Sequence, residues 1–231
     1  MKLIVSPIPA SITRWNSKGN ALRILTRYEE AIQALSRVLE IAPNHTVAWN
    51  NKGLALSDLN RYEEAIQAYD RALAIDQNLD DAWNNKGKAL NNLNRYEEAI
   101  QAFDRSLTID PNFIGAWNCK GIALCYLQRY EEAILAYDRA LAINSNYADA
   151  WNDKGGALSG LNRYAEAIQA FDRALGIDPN YADAWYNKGN ALYGLNRYEE
   201  AILAYDCPLT IDSNNTDARH NKNIAVEALK R

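Results

Sequence analysis

Residues 82–113 read AWNNKGKALNNLNRYEEAIQAFDRSLTIDPNF, and residues 184–215 read AWYNKGNALYGLNRYEEAILAYDCPLTIDSNN. The second stretch is an edited copy of the first, and the copying extends along the chain. Trp15, Trp49, Trp83, Trp117, Trp151 and Trp185 recur at a constant interval of 34. A fixed period of this size marks a stacked array of small units rather than one globular core. Starting each unit three residues before its Trp gives 12–45, 46–79, 80–113, 114–147, 148–181 and 182–215. A partial unit at 216–231 has Arg219 in the Trp place and stops after one helix, as a polar cap would. The opening MKLIVSPIPAS (1–11) is expected to be an extended tail, its apolar run too short for a secretory segment.

Each unit reads as two helices and a turn. Trp83, Gly87, Leu90 and Leu93 share one face of helix A, and Tyr96, Ala99, Ile100, Phe103 and Leu107 share one face of helix B. Asn94 marks the turn between them, and Asp110-Pro111-Asn112 stops helix B. No alternating pattern suggests a strand, so the expected fold is all-α. Gly19, Gly53, Gly87, Gly121, Gly155 and Gly189 stand inside helix A, where each costs about 1 kcal/mol relative to Ala. A packing reason is required. The expectation is small against small, with Ala31, Ala65, Ala99, Ala133, Ala167 and Ala201 of helix B opposite. Pro208 replaces the small residue of helix B in the sixth unit and is expected to kink or shorten that helix.

The pattern W-x-x-K-G-x-A-L, then Y-x-E-A, then Y/F-D-R-A-L, then D-P-N resembles the tetratricopeptide repeat family over residues 12–231. The resemblance implies a right-handed α-solenoid of helix-turn-helix repeats whose concave groove, lined by the A helices, binds peptides or protein segments. It also implies an adaptor or scaffold rather than an enzyme. Members that grip acidic chaperone tails carry Lys one residue after the Trp. Here that place holds Asn16, Asn50, Asn84, Asn118, Asn152, Tyr186 and His220, so a carboxylate-binding clamp is not expected.

Composition sets outer bounds. Apolar residues make up 48% and charged residues 23% of the chain, enough for a core. A net charge of −4 gives no general affinity for nucleic acid, and no apolar run spans a bilayer. Cys119, Cys125 and Cys207 form no metal-binding spacing and are read as reduced thiols of a cytoplasmic protein. No cofactor or metal is expected. The repeated YEE runs place adjacent carboxylates about 100° apart on a helix, which makes a solvated face and no acid/base pair.

The face of helix A opposite the Trp lies two residues before it and two, five and nine after it. In successive units this stripe carries Thr13, Ser17, Asn20, Ile24; Val47, Asn51, Leu54, Asp58; Asp81, Asn85, Lys88, Asn92; and Gly115, Cys119, Ile122, Tyr126. It continues with Asp149, Asp153, Gly156, Gly160; Asp183, Asn187, Asn190, Gly194; and Asp217, Asn221, Ile224, Ala228. Its carboxylates, with Lys88 the one cation, point to a groove for basic or neutral segments. An Asp in a first helical turn also serves the helix dipole, and that reading stays open for Asp81, Asp149, Asp183 and Asp217. Asn51, Asn85, Asn187 and Asn221 form one column, broken by Ser17, Cys119 and Asp153, and Asn16, Asn50, Asn84, Asn118 and Asn152 a second. Their amides could hold a peptide backbone without reading its sequence; a solvent-exposed Asn copied with the repeat is the alternative reading. Leu54, Ile122 and Tyr126, bordered by Tyr186 and Tyr193 and with space beside Gly156, Gly160 and Gly194, could seat an apolar anchor; packing between helices is the alternative for Leu54 and Ile122, and Asn190 also lies on the stripe. The alternatives are a scaffold that self-associates through its terminal repeats, or the repeat segment of a larger enzyme or regulator.

Overall fold

The computed structural model describes residues 10–211 and 216–230. Among these the chain is all-α, with thirteen helices and no strand. It divides into two compact units, Met1–Pro111 and Asn112–Arg231. The first contains α1 (Ala10–Ile24), α2 (Tyr28–Ile41), α3 (Thr46–Asp58), α4 (Tyr62–Ile75), α5 (Asp80–Asn92) and α6 (Tyr96–Ile109). The second contains α7 (Ile114–Tyr126), α8 (Tyr130–Ile143), α9 (Ala148–Gly160), α10 (Tyr164–Ile177), α11 (Ala182–Gly194), α12 (Tyr198–Ile211) and α13 (Thr216–Leu229). Odd-numbered helices are the A helices and even-numbered ones the B helices, so each expected unit is one helical hairpin. Most of the tail expected at 1–11 lies outside the described residues; its last two residues, Ala10 and Ser11, belong to α1.

The turn inside each hairpin is the same device six times over. Thr26, Asn60, Asn94, Gln128, Asn162 and Asn196 take the left-handed conformation, with φ between 58° and 60°. The following Arg N–H reaches back to a Leu carbonyl, as in Arg61 to Leu56 at 2.9 Å, and Asn60 N–H reaches Ser57 O at 2.9 Å. These two bonds form a Schellman motif, and Asn is the side-chain-bearing residue that tolerates its left-handed position best. The Arg then pairs with the second Glu of the YEE run, as Arg61 does with Glu64 and Arg163 with Glu166. These pairs are exposed and close the turn as solvated i,i+3 contacts of little weight.

The helical glycines do not face small residues. A Cβ on Gly53 would lie 2.4 Å from the Tyr69 ring, on Gly87 2.6 Å from Phe103, and on Gly155 2.5 Å from Phe171. Gly19 meets Leu35 in the same way. The partner is the large side chain one turn beyond the expected Ala, and the alanines are buried beside it. Small against large lets a fully buried ring lie flat on the helix A backbone, which removes more apolar area than an Ala contact would.

Successive hairpins within each unit are joined by the Trp. Its indole N–H donates to a carbonyl in the closing turn of the preceding repeat: Trp49 to Pro43 at 2.8 Å, Trp83 to Gln77 at 3.0 Å, Trp151 to Ser145 at 3.0 Å and Trp185 to Pro179 at 2.9 Å. The Lys three residues on stacks over that indole, 4.7 Å from the ring centroid in Lys18 and 5.5 Å in Lys52. Lys86, Lys154 and Lys188 also reach Asp70, Asp138 and Asp172 at 2.6 Å. Pro208 is buried inside α12, which keeps the fourteen-residue length of the other B helices, so the helix is not shortened.

Candidate partner-binding face

The structure leaves the expected stripe the more open side of the A helices. In the first unit Val47, Asp58, Asp81, Lys88 and Asn92 are exposed, with Asn51, Leu54 and Asn85 half-buried. In the second, Tyr126, Asp149, Gly156, Gly160, Asp183, Gly194, Asp217 and Ile224 are exposed, with Asp153, Asn187, Asn190 and Asn221 half-buried.

The two asparagine columns bond to each other instead of standing as parallel ladders. Asn51 Nδ2 donates to Asn16 Oδ1 at 3.4 Å, Asn85 Nδ2 to Asn50 Oδ1 at 3.3 Å and Asn187 Nδ2 to Asn152 Oδ1 at 3.0 Å. Asn221 Nδ2 donates to Asn190 Oδ1 at 2.9 Å and to Tyr186 Oη at 3.0 Å. Asn84, Asn118 and Asn152 are buried, with 2%, 5% and 8% of their surface exposed. They lie in the seam between A helices, where Asn152 Oδ1 takes the Asn187 amide while Asn84 Oδ1 and Asn118 Oδ1 have no partner. The outer asparagines Asn51, Asn85 and Asn187 are half-buried and spend their amide nitrogens on this seam, which leaves the side-chain oxygen as their remaining polar group.

Charge differs between the two units. Asp58 is paired with Arg23 at 3.0 Å, a cation outside the stripe as drawn from the sequence, so Asp58 supplies no free charge. Asp81 shares α5 with Lys88. In the second unit Asp149, Asp153, Asp183 and Asp217 occupy the stripe with no Lys or Arg on it. Asp149 and Asp183 stand in the first turns of α9 and α11, where negative charge favours the helix dipole, and Asp149 also takes a hydrogen bond from the Tyr181 hydroxyl.

Asp153 stands apart from the other carboxylates. It occupies the outer asparagine place of α9 and borders a cleft of about 350 Å³ formed by α7, α8, α9 and α11. Ile122, Cys125 and Tyr126 line one side, Tyr130 and Tyr137 a second, and Gly156 and Asn187 the remainder. Asn118 Nδ2 faces Asp153 Oδ2 at 3.5 Å and Asn152 Nδ2 faces Oδ1 at 3.4 Å, both long for hydrogen bonds. Among the described residues the carboxylate has no cation. Burial raises its pKa from 3.8 to about 6, against the smaller lowering from the two amides. Asn84 Oδ1 and Asn118 Oδ1 are both buried without a donor; opposite Asn118 stands Asp153, which has no amide N–H like the one Asn187 supplies to Asn152. Burial also pushes the Cys125 thiol up, its Sγ 3.6 Å from Tyr137 Oη, which makes it a poor nucleophile.

Cys125, Tyr130 and Tyr137 were not on the stripe and come to it because neighbouring helices cross. A smaller cleft of about 200 Å³ has Asn190, Tyr193, Tyr205, Asn221 and Ile224 around it. Tyr205 Oη donates to Asn190 Oδ1 at 2.8 Å there. Among the described residues no group of three His, Cys, Asp or Glu is placed to hold a metal ion, and no helix is long and apolar enough to cross a membrane.

The curated proteins contain no significant match to the chain. Among solved structures, YrrB, described as a TPR protein with an unusual peptide-binding site, is 26% identical with a TM-score of 0.69, over 83% of this chain and 99% of its own. PilW, a type IV pilus biogenesis factor, is 18% identical with a TM-score of 0.82, over 92% and 99%. Pseudomonas aeruginosa PilF is 18% identical with a TM-score of 0.78, over 91% and 96%. The last two speak for the fold alone. Tetratricopeptide repeat family models match residues 10–78, 51–112, 120–182 and 182–215. With this match, the 34-residue helical hairpins, the Trp-to-turn bonds and the glycine-on-ring packing, the chain belongs to the tetratricopeptide repeat family.

Proposed function

We propose that this chain is a non-catalytic protein-interaction module that holds a basic or neutral protein segment along its A-helix faces, with charge selection supplied by residues 112–231. The observation that carries this reading is the uncompensated run Asp149, Asp153, Asp183 and Asp217 on the open side of the second unit, beside a first unit whose Asp58 is neutralised by Arg23. Like charge repels acidic segments and opposite charge steers basic ones. The outer asparagines, with carbonyl oxygens left over from the seam, add acceptors for backbone N–H groups. The likeness to YrrB, whose peptide-binding site is its stated feature, supports a segment as the ligand.

Fluorescently labelled peptides of graded charge, titrated at low and moderate salt with light scattering in parallel, test this reading. Binding that favours basic peptides and weakens with salt is the expected result. Equal binding of acidic and basic peptides would overturn the charge selection. A second reading, self-association through the first repeat, draws on the exposed Ile24, Leu25 and Ile41. It gains if scattering mass rises with protein concentration while no peptide binds.

A further inference from the structure

Three replacements within the repeat bear on the cleft at Asp153. Position for position, Asp153 replaces the Asn of α3, α5 and α11. Gly156 replaces Asn20, Leu54, Lys88, Ile122 and Asn190, and a Cβ there would meet nothing within 4 Å. The open volume is therefore the side chain that this one repeat lacks. Gln128 replaces the turn Asn whose Oδ1 accepts from the following Tyr hydroxyl in four other repeats, as Asn162 does from Tyr164 at 2.7 Å. Tyr130, after Gln128, is left without that bond and lies against Gly160, where a Cβ would be 2.7 Å from its ring. Asp153, Gly156 and the unbonded Tyr130 thus meet around one cavity, at the cost of a stranded Asn118 oxygen. Local rule-breaking of that kind is expected at functional sites.

The cleft has an apolar wall and a charged end. Ile122 and the ring of Tyr126, which is 66% exposed, offer area for a hydrocarbon stem. Asp153 offers a carboxylate without a cation, and Asn187 Oδ1, whose amide nitrogen is spent on Asn152, is a second acceptor. Both carboxylate oxygens already face an amide nitrogen. The two amides crowd the flat, two-pronged approach that a guanidinium prefers, whereas an ammonium needs a single lone pair and can turn its other hydrogens to Asn187 or the Tyr130 hydroxyl. The volume sits at the small end of ligand pockets, suited to one side chain rather than a whole small molecule.

We propose that this cleft takes the side chain of one lysine from the bound segment, its stem against Ile122 and Tyr126 and its ammonium on the Asp153 carboxylate. The proposal rests on the segment-binding reading above and names the anchor that fixes the segment's register. A capped pentapeptide with one central lysine among glycines is titrated into the full chain, alongside its arginine and norleucine counterparts, while backbone amide resonances are followed by NMR. Saturable shifts at Gly156, Asn187 and Tyr126 are expected with the lysine peptide, with norleucine and arginine at least about tenfold weaker. Asp153→Asn and Gly156→Leu remove the response; both restore residues that other repeats carry at these places, so the fold tolerates them. Norleucine binding equally well would make the cleft a hydrophobic contact and sink the proposal. So would arginine binding equally well, or a response that survives Gly156→Leu. Shifts elsewhere on the second unit, from a longer basic peptide that leaves Gly156 unmoved, would discard the anchor and leave the segment reading intact. Silence from both peptides would discard both.

Discussion

Gly155 and Gly156 are neighbours in α9 and meet opposite surroundings. A methyl group on Gly155 would sit 2.5 Å from the buried Phe171 ring, whereas one on Gly156 would enter open space. Neither has a left-handed backbone, so Ala is allowed by conformation at both. Gly155→Ala forces the ring or the helix to shift and is expected to cost about 1–3 kcal/mol, the usual range for overpacking. Gly156→Ala is expected to stabilise by about 0.5–1 kcal/mol through helix propensity alone. Urea midpoints of the two variants should move in opposite directions; equal losses would mean that the cleft beside Gly156 is filled in solution. The sequence makes the Gly155 column conspicuous by repetition, and a packing reason follows from that. The identity of its partner does not follow, because periodicity fixes angles around one helix and says nothing of the offset between two. The opposing residue proved to be the aromatic one turn beyond the expected Ala.

Between elements, the seam of A helices is where amides meet, and Asp153 is its fault. In the α9–α11 pair an amide nitrogen meets an amide oxygen at 3.0 Å, while in the α7–α9 pair a carboxylate meets an amide nitrogen at 3.5 Å and leaves Asn118 Oδ1 bare. The groups that act electrostatically with this carboxylate are Asp149 on its own helix, Cys125 on α7, Tyr137 on α8, and Tyr147 and Tyr181 in the turns before α9 and α11. Because folding raises the Asp153 pKa from 3.8 to about 6, the native state binds more protons than the unfolded one between those values. Its contribution is thus most favourable below pH 4 and is lost as pH rises through 6. A shift of this size corresponds to at most roughly 3 kcal/mol. Asp153→Asn is therefore expected to raise stability at pH 7 by up to that amount, and by only about 1 kcal/mol at pH 4, where a restored bond to Asn118 is the remaining gain. Denaturation of both chains from pH 4 to 7.5 decides it: a variant whose advantage does not grow with pH would remove the ionised, buried Asp153 from the account. The asparagine columns were legible as columns; that they spend half their hydrogen bonds on each other was not. Arg23 escaped for the same reason, since its contact with Asp58 crosses from one helix to the next. At α12 the reading of Pro208 went partly astray, since a missing N–H need not end a helix whose remaining bonds and burial hold it.

At the scale of the whole molecule, charge can act in two separable ways on a basic segment. Asp149 and Asp183 are exposed, so their charges act on an approaching segment as a field, which is screened over a Debye length of about 8–10 Å at 0.10–0.15 M salt. Asp153 is half-buried in a cleft, where screening is weak and a contact must be broken for the segment to leave. Field and contact therefore fall on different rate constants. Replacing Asp149 and Asp183 together with Asn is expected to lower the association rate of a lysine-bearing basic peptide by about 3–10-fold at low salt, with little change in dissociation. Asp153→Asn is expected to leave association within about twofold and to speed dissociation by about tenfold or more. Stopped-flow traces at two salt concentrations separate the cases, because only the association rate should fall as salt is added. If the exposed pair instead governed dissociation, the segment would be held along the rim of the face, and the cleft at Asp153 would lose its place as the anchor.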